Sequence, residues 1–95
     1  CYLVSLFLIA VANPAFAGKD KTEMAWKYAY NDVSGSVSDA TAQSRLSGMN
    51  AKMVDGYGNL SRGKFYALAS EMFDNLLEIT EKHGGKKIYK PEWLD

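Results

Sequence analysis

The stretch with the strongest chemical character is VDGYGNLSRGKF, residues 54 to 65, a glycine-studded turn rich in oxygen-bearing side chains that runs into an apolar segment. Such a turn suits a hard cation, because calcium and magnesium take oxygen ligands almost exclusively. An earlier stretch has the same build. YNDVSGSVSDATA, residues 30 to 42, overlays MVDGYGNLSRGKF, residues 53 to 65, without a gap: Asp32 falls on Asp55, Gly35 on Gly58, Val37 on Leu60 and Ser38 on Ser61. All four agreements sit at turn or helix-start positions, and turns rich in Gly and Ser also recur for ordinary backbone reasons. A weaker third copy, EKHGGKKIYKPEW, places Ile88 on Leu60 and Trp93 on Phe65, with its glycines one position early.

Other chemistries have thin support. His83 is the single histidine and Cys1 the single cysteine, so neither a thiolate–imidazole metal site nor acid–base work at His83 has partners in the sequence. Serines are plentiful, but none stands in a nucleophile-elbow setting. No enzyme is expected. Eleven basic and eleven acidic residues balance to zero net charge, with the bases scattered along the chain, and nucleic acid is not an expected partner.

The elements that carry the two turns read as helices. From Ser61, a good N-cap, the apolar residues Phe65, Leu68, Met72, Phe73, Leu76 and Ile79 recur every three or four positions, and His83 with Gly84 makes a helix end. Ser38 or Asp39 is expected to cap a second helix through Leu46 to Met53, and Asp20 or Thr22 to start an earlier one carrying Met24, Trp26 and Tyr28. Pro91 suits the first turn of a closing helix. Met24, Met49, Met53 and Met72 read as core residues, with a Met-lined groove for a partner helix as the alternative.

With these elements in place, the two turns resemble EF-hand loops, and DGYGNLSRGKF followed by an aromatic- and Met-rich helix is similar to small secreted or periplasmic bacterial proteins with EF-hand repeats. The resemblance covers Trp26 to about Trp93. It implies an all-α fold built on an EF-hand-like helix-loop-helix pair, with a short third loop and a closing helix. Gly35 and Gly58 would bend the loops, and Val37 and Leu60 would pair as a minimal bridge between them. It implies calcium ligands too: Asp32, Ser34, the Ser36 carbonyl, Ser38 and Thr41 in the loop Tyr30 to Thr41, and Asp55, Tyr57, the Asn59 carbonyl and Ser61 in the loop Met53 to Lys64. Tyr30 and Met53 stand where the family has Asp, and Thr41 and Lys64 where it has Glu, so weak or vestigial calcium binding is the expectation. Asp32 and Asp55 also suit plain Asx-turns.

The first 17 residues, CYLVSLFLIAVANPAFA, carry no charge and end in the small-x-small pattern Ala15-Phe16-Ala17, which reads as a signal peptide, with an uncleaved anchor or a buried N-terminal helix as the alternative. Residues 18–95 would then form one exported domain, secreted or periplasmic, with no membrane segment after cleavage. Two functional readings stay open. In one, calcium bound at the loop pair stabilises the fold. In the other, the chain is a small helical protein-interaction module without metal, meeting a partner through an apolar helix face at Phe65 to Ile79.

Overall fold

The computed structural model describes residues 14–94, with side chains from Gly18 onward. The leader expected over residues 1–17 lies outside them, except that its last four positions continue the backbone of the first helix. Three helices of similar length follow one another: α1 (Pro14–Ser34), α2 (Ala40–Asn59) and α3 (Arg62–His83). A non-helical tail then leads to a single 3-10 turn at Glu92–Leu94. Each helix packs on the other two, and the fold is an all-α three-helix bundle with no strand among the described residues.

The buried positions explain why these segments pair. In α1 the core takes Thr22, Trp26, Ala29 and Val33; in α2 it takes Ala42, Leu46, Met49, Met53 and Gly56; in α3 it takes Phe65, Ala69, Met72, Phe73, Leu76 and Ile79. Steps of four and three residues keep one stripe of each helix turned to the axis of the bundle. Trp26 sits at the centre, 1% exposed, with its ring edge-on to Phe73 at 5.5 Å and stacked on Tyr30 at 6.0 Å. The one buried polar side chain among the described residues, Thr22, accepts a hydrogen bond from the Trp93 indole at 2.9 Å.

The helix boundaries follow local chemistry. Asp39 caps α2, its carboxylate accepting from the Ala42 amide at 2.9 Å, and Ser61 caps α3 through a longer contact to the Lys64 amide at 3.5 Å. Gly84 ends α3, and with Gly85 it adopts a positive φ, 81° and 92°, which an L side chain resists. Gly85 has a second reason to lack a side chain: a Cβ there would meet Val37 Cγ2 at 2.7 Å. Beyond it the tail returns to the bundle, burying Ile88 and Leu94, pairing Lys90 with Asp74 at 3.0 Å and laying Trp93 under the Lys21 ammonium at 4.0 Å.

Several expectations are corrected. α1 starts well before Asp20, and α2 runs past Met53 to Asn59. Met49, Met53 and Met72 are core residues, but Met24 is 55% exposed. The apolar face of Phe65 to Ile79, expected to meet a partner, is consumed by the bundle's own core. The third copy, Glu81 to Trp93, is the end of α3 followed by the tail, and Pro91 precedes only the short 3-10 turn.

Candidate functional site

The residues expected to surround a cation are divided between two corners of different build. At the first, Asp32 and Ser34 lie in the last turn of α1, and the chain reverses through Gly35 to Asp39. The Asp32 carboxylate faces the Lys86 ammonium at 3.6 Å. The Ser36 hydroxyl donates to the Asp32 carbonyl at 2.7 Å and accepts from the Lys86 amide at 2.8 Å. Gln43 reaches back from α2 and donates to the carbonyls of Ser34 and Val37. Ser38 is exposed beside the Asp39 cap, and Thr41 is already in the first turn of α2.

At the second corner the expected loop is a helix. Met53 to Asn59 complete α2, and only Leu60 and Ser61 stand outside helices before Arg62 opens α3. Asp55 accepts from the Asn59 side-chain amide at 2.8 Å, an i,i+4 pair on the surface of α2. Tyr57 turns towards α1, and its hydroxyl donates to the Asp20 carboxylate. That hydrogen bond, then burial, then the negative charges of Asp20 and Glu23 hold the phenol's pKa above its usual value near 10. Lys19 completes the clasp. Its ammonium donates to the Leu60 carbonyl at 3.0 Å, just past the end of α2, where a cation complements the helix dipole, and it lies 5.5 Å and 5.8 Å from the ring centres of Tyr57 and Phe65.

Five of the residues named for calcium are therefore engaged separately within the fold, Ser36 through its hydroxyl rather than its carbonyl. Asp32 is paired with Lys86, Ser36 with Asp32 and Lys86, Asp55 with Asn59, Tyr57 with Asp20, and Ser61 with Lys64. Gly35 and Gly58 have no positive φ, and Val37 and Leu60 form no strand bridge. Among the described residues no group of three or more His, Cys, Asp or Glu is gathered as a metal would need.

The surface feature best suited to recognition was not singled out by the repeat. A groove of about 170 Å³ runs between α1 and α2, lined by Trp26, Tyr30, Met53 and Val54 and rimmed by Glu23, Lys27, Asn31 and Asn50. Its base is rigid: the Trp26 indole donates to the Asn50 side-chain carbonyl at 2.9 Å, and Tyr30 is stacked against the same ring. Val54, 65% exposed, forms an apolar lip. The Glu23–Lys27 pair at 3.5 Å, one helical turn apart, borders the other side. Trp26 and Tyr30 are themselves an i,i+4 pair, the one sequence signal that could have found this groove. It becomes legible only once α1 is known to lie against α2.

A larger crevice of about 430 Å³ lies under the tail, lined by Leu77, Thr80, Glu81, Gly85, Lys87 and Ile88. Glu81, Gly85 and Lys87 of its walls are exposed, Leu77 and Thr80 are half-buried and Ile88 is buried. No helix of the described residues is long and apolar enough to cross a membrane. No protein-family model matches the chain, and neither a curated protein nor a solved structure matches it significantly.

Proposed function

We propose that the chain is an exported helical protein-interaction module that takes one apolar side chain of a partner into the groove between α1 and α2. The observation that carries this reading is the groove itself: two aromatic rings and a Met form an apolar floor fixed by the Trp26–Asn50 hydrogen bond, with Val54 exposed at its edge. At about 170 Å³ it falls below the roughly 300 Å³ at which cofactor-sized sites begin, which favours a single protruding side chain over a small-molecule ligand. Rigid aromatic anchors bordered by polar groups are the composition found at the centres of protein interfaces. Calcium binding has weaker support, since both candidate carboxylates, Asp32 and Asp55, already have partners within the bundle and no acidic cluster is gathered among the described residues.

The test is site-directed photo-crosslinking in the producing cells. A photoreactive side chain at position 54 is expected to give a discrete adduct that disappears when Tyr30→Ala is added, while the same group at Glu71, on the exposed side of α3, gives none. No adduct from position 54, or equal adducts from 54 and 71, removes the groove as an interface.

A further inference from the structure

The first turns after Ala17 are unusually well tied down. Gly18 is buried, and a Cβ built on it would run into the Tyr66 hydroxyl, with Arg62 Cδ at 3.6 Å, so the backbone of α1 rests directly on α3. Each of the next four residues is then fastened: Lys19 to the Leu60 carbonyl, Asp20 to the Tyr57 hydroxyl, Lys21 over the Trp93 ring, and Thr22 to the Trp93 indole. Across this region the helix is unbroken, and the Ala17–Gly18 bond lies within α1. Proteases take their substrates as extended strands and cut preferentially at exposed, mobile backbone. A bond inside a helix, packed on a neighbouring helix, must first unwind and undock.

We propose that Ala17–Gly18 is a proteolytic processing site that folding closes. The bond is cut while the chain is unfolded, and a chain that folds first keeps its apolar leader. This rests on the export reading, and it adds an order of events to it. Hydrolysis adds one water across the amide, releasing Ala17 as a carboxylate and Gly18 as an α-ammonium. The sequence suits a helix that starts at the new end. Asp20 then falls in the first turn, where a carboxylate complements the helix dipole and partly offsets the new ammonium, whereas the helix as it runs from Pro14 has no acidic residue in its first turn. Glycine at position 18 lets the Tyr66 side chain lie against the α1 backbone, and a Cβ there would displace the Tyr66 hydroxyl.

The experiment uses the full chain and a purified signal peptidase in detergent, with intact-mass readout of the cut position. Phe65→Asp, which places a carboxylate at a fully buried position, supplies the unfolded reference, and circular dichroism verifies its state. Cleavage of the unfolded chain between Ala17 and Gly18, with the folded chain cut at least about 100-fold more slowly, is the expected result, because cutting of a closed bond follows the open population. Rates within about threefold of each other overturn the closure while leaving the leader reading intact. Failure of the unfolded chain to be cut at that bond overturns both. Hydrogen exchange gives a second readout that needs no variant: the amides of Lys19 to Thr22 in the folded full chain should exchange as slowly as those of the core, and fast exchange there overturns the proposal.

Discussion

Between α1 and α2 the chain takes five residues, Gly35 to Asp39, to reverse direction, whereas between α2 and α3 it takes two, Leu60 and Ser61. The longer corner is held from outside its own hairpin by the tail: Lys86 binds Ser36 and Asp32, and Gly85 lies on Val37. The shorter corner is held by the start of α1, through Lys19 on the Leu60 carbonyl and Asp20 on the Tyr57 hydroxyl. Both corners share the order Asp, Gly, apolar residue, Ser at equal spacing, yet the chain gives that order different jobs. In the first, Gly35 belongs to the turn; in the second, Gly58 belongs to a helix. What decides is the neighbouring element rather than the local residues, because a corner's backbone groups accept whichever donor the tertiary fold brings.

Variants can break this comparison, and the largest effect should come from the anchors. Phe65→Ala, at the second corner and 0% exposed, is expected to cost about 3–5 kcal/mol in denaturant unfolding. Val37→Ala at the first should cost about 2 kcal/mol, by loss of two buried carbons. Equal losses would mean that the two corners are equally supported.

The glycines sharpen the contrast next. Gly56→Ala places a Cβ at 2.7 Å from Leu68 Cδ2 and 3.2 Å from Leu60 Cδ1, and should cost about 1–3 kcal/mol by overpacking. Gly58→Ala, helical and with no neighbour within 4 Å, should instead stabilise by about 0.5–1 kcal/mol through helix propensity. A loss of stability in Gly58→Ala, together with a calcium-dependent rise in melting temperature of the parent, would restore the bent metal-holding loop that the resemblance implies.

The caps come third. Asp39→Ala is expected to lower stability by about 1 kcal/mol, and Ser61→Ala by less, since its contact to the Lys64 amide is long at 3.5 Å. The smallest effect lies at high pH. The folded pKa of Tyr57 is raised, so the unfolded chain loses that proton first, and stability that is complete below pH 10 falls as pH rises through the folded value. Tyr57→Phe should remove that alkaline limb in thermal melts between pH 9 and pH 12, with a small drop in melting temperature at neutral pH from the lost hydrogen bond to Asp20.

Much of α3 could be read from residue types alone, because its start and end are local events. Ser61 offers an oxygen to the first turn, Gly84 takes a positive φ, and the apolar spacing between them is regular. Asp39 was one of two residues expected to cap α2 for the same kind of reason. The end of α2 was hidden by Gly56 and Gly58, since glycine inside a helix is unfavourable by up to about 1 kcal/mol and usually marks a turn. Gly56 is there because Leu60, Leu68 and Phe65 crowd the place where a side chain would start, a requirement set by α3 and invisible within α2. For Gly58 nothing in the structure requires glycine. The groove was hidden for a similar reason: Trp26, Tyr30, Met53 and Val54 come from two helices and become neighbours only through packing.

One property of the α1–α2 groove makes it observable without a label. Of the two tryptophans, Trp26 lies sealed beneath the groove with its indole bound to Asn50, while Trp93 is 37% exposed on the tail. A Trp93→Phe chain would therefore emit from a single buried indole at the base of the groove. A guest side chain arriving there would change the emission of that ring directly, so affinity for any peptide could be read from intrinsic fluorescence.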